Sequence, residues 1–195
     1  MPAVKFRRVV TGHDRKGTAI VALDSPPPNV RSFASLPDVY FTEIWSTAGS
    51  PAIIDNGSDP TLGTTGIQPP QGGSIIRVVD IPPERPDDHT DSATGKAHFA
   101  EIGAADAATS THSSRHALMH RTETIDYGIV LEGSLTLVLD DSEVEISQGD
   151  IVVQRGTNHA WSNRSGKLCR MAFILLDGRY APEVKSALQT GVVGQ

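Results

Sequence analysis

The sequence predicts an all-β fold built around a barrel in its second half, on three observations: proline is confined to the first half, apolar residues alternate with period two after Tyr127, and turn residues recur at short intervals. Proline removes a ladder donor and is kept out of central strands. Of the 13 prolines, 12 precede residue 87, and the remaining one, Pro182, lies beyond the last expected strand. The continuous sheet therefore belongs to the proline-poor stretch.

Within that stretch Tyr127 to Glu132 is an apolar, β-branched strand. Leu135, Leu137 and Leu139 alternate with Ser134, Thr136 and Val138, and Val144 and Ile146 alternate with Glu143, Glu145 and Ser147. Asp140-Asp141-Ser142 joins these two as a hairpin. Gln148-Gly149-Asp150 and Gly156-Thr157-Asn158 are further turns around a strand at Ile151 to Gln154, and Lys167 to Leu176 is a long closing strand. Strands this short, with turn chemistry this frequent, imply a barrel or sandwich. A proline-initiated surface helix is expected over Pro182 to Gln189.

The first half is β-leaning but broken. Phe6 to Val10, Ala19 to Leu23, Val39 to Trp45 and Ser74 to Val79 are strand candidates separated by Pro26-Pro27-Pro28, by Pro69 to Gly73 and by Pro82 to Pro86. They are expected to supply edge strands to the barrel or to a partner subunit, a degenerate second barrel being the alternative. Residues 87–115 are small and polar and read as a loop with one short helical turn near Phe99 to Ala107. The predicted organisation is an N-terminal β-rich extension over 1–115, a barrel core over 116–180 and a short helix and tail over 181–195.

Composition narrows the function. A formal charge of −6, with Lys and Arg scattered singly, gives no basic stripe for nucleic acid. The single cysteine, Cys169, allows no intrachain disulfide. The longest clearly apolar run, Ala172 to Leu176, is far short of the roughly 20 residues that span a bilayer, and Met1 to Arg8 leads into Thr, Gly, His and Asp where a signal peptide needs an apolar core. A cytoplasmic protein is expected.

Two stretches carry the chemistry. The first runs from His120-Arg121-Thr122-Glu123-Thr124-Ile125-Asp126 to Leu131-Glu132-Gly133, and the second from Gly149 through Gly156-Thr157-Asn158-His159-Ala160-Trp161-Ser162-Asn163. In order and spacing they resemble the two motifs of the cupin superfamily. His120 takes the first histidine position, Thr122 stands where a second histidine is usual, Asp126 takes the glutamate position and Gly133 closes the turn. In the second stretch Gln154 replaces a proline and the interval is one residue short, while the match from Gly156 onward is complete. The resemblance covers about a third of the chain and implies a double-stranded β-helix, or jelly-roll, barrel with a small-molecule pocket.

Cupins of this kind hold one divalent metal on three histidines and a carboxylate. Here the resemblance leaves His120, Asp126 and His159 as the ligand set for Fe, Mn, Ni or Zn, with His116 a weaker alternative for the missing histidine. An N/O set of two imidazoles and a carboxylate suits such ions and leaves positions open. The same three residues are the candidate catalytic group with or without metal. Thr122, Trp161, Asn163 and Tyr127 are candidate substrate contacts; Trp161 and Asn163 share the parity of His159, whereas alternation turns Tyr127 away from Asp126 and favours packing for it. His112, His116 and His120 recur every fourth residue, but the Ser and Thr around them argue against a helix. His89, His98 and His112 read as loop or surface residues and Arg121 as surface.

The leading expectation is an enzyme of lyase, decarboxylase or isomerase type acting on a small oxygenated metabolite. The alternatives are a non-catalytic binding cupin that has lost its metal and an iron-dependent dioxygenase. A transcription factor with a cupin sensor would need a helical DNA-binding module, for which the chain has no room outside the broken, β-rich N-terminal half. Isolated short strands leave unpaired edges, and a homodimer is expected to cover them.

Overall fold

The computed structural model describes residues 6–63, 66–84, 91–110 and 114–190. The expectations for His89 and His112 concern residues outside these. Strands β6 (Thr124–Glu132), β7 (Ser134–Leu139), β8 (Glu143–Ser147), β9 (Ile151–Arg155), β10 (His159–Ser162) and β11 (Cys169–Asp177) form where alternation and turn chemistry placed them. The turn at Gly133 needs glycine: φ is 79°, and a Cβ there would lie 2.5 Å from the Leu168 carbonyl oxygen.

In the first half, β1 (Arg8–His13), β2 (Ala19–Ser25), β4 (Tyr40–Thr47) and β5 (Ser74–Ile81) match the four strand candidates, and a short β3 (Val30–Ser32) was not anticipated. All pairings are antiparallel. A six-stranded sheet has the order β3-β4-β5-β11-β6-β9, a three-stranded sheet has β10-β7-β8, and β1 and β2 form a separate hairpin. The expectation of edge strands alone is corrected: β5 is central, in register with β11 from Ser74 against Leu176 to Ile81 against Cys169. Proline flanks β5 but does not enter it, so the ladder is intact. The described strands form no second barrel.

The two larger sheets face each other across one core. Ile75 and Val79 from β5, Val130 from β6 and Met171, Phe173 and Leu175 from β11 pack with Leu135 and Ile146 of the smaller sheet. The segment expected to be a loop holds a ten-residue helix, α1 (Ser92–Glu101), capped by Asp91, whose side chain accepts from the Thr94 amide at 2.8 Å. A short helical turn follows at Ala105–Ala107. Weak amphipathic patterning hides α1 in the sequence; tertiary contacts hold it. Glu101 accepts from the amides of Ala34 and Ser35 at 2.8 and 2.9 Å and from the Ser35 hydroxyl at 2.5 Å. Phe99 and Ile102 bury against the barrel. Helix α2 (Pro182–Thr190) is exposed, and no helix among the described residues is long and apolar enough to cross a membrane.

Candidate functional site

Helix α1 closes a cavity of about 120 Å³ whose other walls come from β4, β5, β6, β10 and β11. For scale, an engineered apolar cavity on the order of 150 Å³ takes up benzene. The wall is largely apolar, with Phe41, Val79, Phe99, Trp161, Phe173 and Leu175 among its residues; Arg77, His98, His120, Thr122, Asp126 and His159 are its polar members.

Backbone pairing brings the two motif histidines together. His120 N donates to His159 O at 2.8 Å and His159 N donates to His120 O at 2.9 Å, so the two residues oppose each other directly. Opposed residues share a face, and the ring centroids lie 4.2 Å apart. His120 Nδ1 is 3.0 Å from the Leu118 carbonyl oxygen and His159 Nδ1 is 2.9 Å from that of Thr157. A carbonyl only accepts, so each Nδ1 carries the proton and each Nε2 keeps a lone pair. Gln154 grips the same turn, its amide donating to the Thr157 carbonyl at 3.0 Å and hydroxyl at 2.6 Å. This side chain restrains the turn where the family motif has proline.

Asp126 projects inward from β6, between Thr124 and Gly128. Its Oδ1 is buried with no hydrogen-bond partner. Burial raises its pKa from 3.8 to about 6, against a hydrogen bond from Thr124 and the Arg77 charge. Burial acts oppositely on the imidazoles: His120 falls to about 4, and His159 falls well below its ordinary value, helped by His120. The usual order of basicity is inverted, and the carboxylate is a stronger base than the His120 imidazole. Thr122 is buried in the wall with its hydroxyl 2.7 Å from that of Thr124. Trp161 stands beside His159 and Phe173, at 5.2 Å from each.

Other expected site residues lie elsewhere. Asn163 follows the end of β10, so strand alternation no longer aims it; its amide donates to Ile81 O and Lys167 O, each at 2.8 Å, and its Oδ1 accepts from Ser165, fixing a turn. Tyr127 is exposed on the outer face of β6, as its parity requires, and neither lines the cavity nor packs in the core. His116 is drawn away from the cavity, its Nε2 3.0 Å from Glu84 and its Nδ1 accepting from Leu118 N at 3.1 Å.

Two residues escaped the sequence reading. His98 is no loop residue: it is 5% exposed on α1, lines the cavity, and packs edge-on against Phe33 and Phe41. Arg77 sits within the apolar run Ile75-Ile76-Arg77-Val78-Val79, and a charge inside such a strand was the available signal. Its guanidinium is 2.8 Å from Glu43 Oε1, donates from Nε to Oε2 at 3.3 Å and from Nη2 to Gly66 O at 2.8 Å. Burial dominates both partners, raising the pKa of Glu43 and lowering that of Arg77.

The expected metal set is incomplete in this geometry. The free Nε2 atoms, each backed by an Nδ1 hydrogen bond, suit ligation, but among the described residues no three His, Cys, Asp or Glu side chains form a metal-holding group. Asp126 does not join the histidine pair, and His116 is committed to Glu84. Among the described residues the donor set therefore falls short of a three-ligand metal.

Antiparallel sheets facing across one core, with a ring-sized cavity under a helix, define a jelly-roll barrel able to enclose a small molecule. The family described as "Cupin domain" matches residues 108–175. Phomopsin biosynthesis cluster protein C' of Diaporthe leptostromiformis is 32% identical over 194 residues, covering 96% of this chain and 86% of that protein. A cupin-domain-containing oxidoreductase of Neurospora crassa, srdD, is 28% identical over 205 residues, covering 99% and 87%. Another, virC of Hypocrea virens, is 48% identical over 63 residues, covering 30% and 32%. Among solved structures, the Cnp3 cupin domain of Schizosaccharomyces pombe aligns over 95% of both chains at 9% identity with a TM-score of 0.44. The chain belongs to the cupin superfamily.

Proposed function

We propose that the protein is an enzyme that moves protons on a small oxygenated organic molecule held beneath α1, with Asp126 as the proton carrier. The observation that carries this reading is the unpaired, buried Asp126 Oδ1 in a largely apolar cavity. Leaving such a group without a partner costs stability, and that expense is typical of catalytic sites. A carboxyl group with a pKa of about 6 is poised to accept and return a proton near neutral pH. His120 and His159, uncharged and fixed through Nδ1, orient the molecule through their Nε2 lone pairs. Isomerisation fits this set: Asp126 removes a proton from carbon and returns it to a neighbouring position. Elimination fits as well, with the Asp126 carboxylate taking the proton from carbon and passing it to a departing hydroxyl group on the neighbouring atom, which leaves as water.

Full-length relatives named for a biosynthesis cluster and as an oxidoreductase support an enzymatic role in small-molecule metabolism. An iron-dependent dioxygenase would need a third ligand beside His120 and His159, and the same shortfall favours, as a second reading, a binding cupin without catalysis. The discriminating experiment supplies ring-sized hydroxy-carbonyl compounds in D₂O and follows C–H to C–D exchange by NMR. Asp126→Asn should lower exchange about 100-fold or more while binding persists; unchanged exchange would remove Asp126 from the chemistry, and binding without any exchange would establish the second reading.

We also infer a homodimer. The β1–β2 hairpin pairs with neither larger sheet, every residue of β2 is exposed, and Val9, Ile20, Val21 and Leu23 present apolar surface there. A second copy of the hairpin is the occupant that matches this edge in length and character. Light scattering should give twice the chain mass, and Val21→Lys should return the monomer; a monomer at micromolar concentration would refute the inference.

A further inference from the structure

His98 lies outside both cupin motifs and reaches the cavity from α1 rather than from the barrel. Its Nδ1 is 3.0 Å from the Ser35 hydroxyl oxygen. That hydroxyl has one hydrogen, which it gives to Glu101 Oε2 at 2.5 Å. Ser35 therefore accepts from His98, Nδ1 carries the proton, and Nε2 keeps its lone pair. The tautomer is the one established for His120 and His159, and among the described residues nothing hydrogen-bonds the Nε2 of any of the three. Together with Asp126, these three histidines line a cavity the size of one ring.

The donors on the wall are the Arg77 guanidinium, the Thr122 hydroxyl and the Trp161 indole N–H. The charge of Arg77 is matched by Glu43, 2.8 Å away, and its Nε and Nη2 already donate to Glu43 and Gly66. The Thr122 hydroxyl is engaged with Thr124. An anionic ligand would add a negative charge beside Asp126 with no unmatched cation to offset it. A neutral molecule with several O–H donors would pair with the three Nε2 lone pairs and with the Asp126 carboxyl group, whose Oδ1 is otherwise buried without a partner, as hydroxyl-selective sites do.

We propose that His98 is a specificity-determining residue, and that it forms with His120, His159 and Asp126 an acceptor set selecting a neutral, hydroxylated, single-ring substrate over a carboxylate. This rests on the cavity being the substrate site, as argued above, and names the class of molecule that enters it. Phe99 and Trp161 supply flat apolar walls for the ring. The three histidines and Asp126 supply its orientation.

Calorimetry with resorcinol, benzoate and toluene tests the assignment on the full chain at pH 7.5. Resorcinol should bind most tightly and benzoate most weakly. His98→Leu should weaken resorcinol about tenfold and leave toluene unchanged. Benzoate binding as tightly as resorcinol, equal affinity of His98→Leu for resorcinol, or no binding of any probe would each overturn the proposal. Imidazole ¹⁵N NMR of the unmodified protein gives a readout independent of the variant's folding: His98 should report a neutral ring protonated at Nδ1, with its Nε2 resonance moving when resorcinol is added. Protonation at Nε2 would refute the tautomer on which the assignment depends. If resorcinol selectivity and the His98 effect hold while Asp126→Asn leaves proton exchange intact, the substrate class stands and the catalytic role of Asp126 falls.

Discussion

Replacing Asp126 by asparagine should stabilise the protein at neutral pH while lowering the proposed proton exchange. Below pH 3.8 the carboxyl group is protonated in both folded and unfolded chains. Between 3.8 and about 6 the folded protein holds a proton that the unfolded chain has released, so stability falls as pH rises through this window. Above about 6 the loss is complete, because the folded state then carries a buried carboxylate. At about 1.4 kcal/mol per pH unit, the interval from 3.8 to about 6 amounts to ~3 kcal/mol. Asparagine has nearly the same shape and no charge, so Asp126→Asn should gain up to ~3 kcal/mol at pH 8 and almost nothing at pH 4. Urea unfolding of both proteins at the two pH values measures this as a change in midpoint at constant slope. The cavity histidines titrate in both proteins and largely cancel in the difference. No gain at pH 8, or an equal gain at pH 4, would refute the claim that Asp126 is held at a cost in stability.

The unsubstituted protein should lose stability on acidification from about pH 6.5 towards 4. His98 and His120 are lowered from 6.5 to about 4, chiefly by burial, and their contribution, present above 6.5, is lost as the pH falls through the folded values; the pair outweighs Asp126, which acts in the opposite direction between about 6 and 3.8, and a thermal-melting series on Asp126→Asn reads the histidines without that offset, a flat profile there contradicting buried neutral rings. Gly95→Ala would place a Cβ 2.1 Å from the Ala117 carbonyl oxygen. The helix gains about 1 kcal/mol of propensity, but overpacking costs roughly 1–3 kcal/mol. The expected result is displacement of α1, seen as loss of ring-probe binding in calorimetry. Arg77→Met leaves Glu43 buried without its cation and should cost about 3–5 kcal/mol in urea unfolding at pH 7, less at pH 5 where Glu43, its pKa raised by burial, takes up a proton more readily.

The barrel was legible because its signals are local. Alternation in Ser134–Leu139, the Asp140-Asp141-Ser142 turn and the glycine at 133 act within a few residues, and the structure keeps them. The central place of β5 was not legible. Its run of apolar residues looks the same at an edge or in the middle of a sheet, and only its register with β11, some 95 positions away, decides between them. Helix α1 was missed for the opposite reason: Ser92 to Glu101 has little amphipathic pattern, and its stability comes from a cap, a carboxylate gripping residues 34 and 35, and two buried side chains.

The candidate site divides along the same line. His120 and His159 were found because strand pairing carries motif spacing directly into space, and Asn163 was misplaced because that reasoning ran one residue past the end of β10. His98 comes from a different element and cannot be inferred from motif spacing. Thr122 had suggested a site with one histidine lost; the fold instead brings a third imidazole to the same cavity from α1, too removed from the pair to join it in a metal-holding group. Threonine where the family motif usually has histidine, together with a further imidazole supplied from α1, supports the proposal of a substrate held by hydrogen bonds. The departure from the family motif is therefore the feature that most directly constrains what this chain binds.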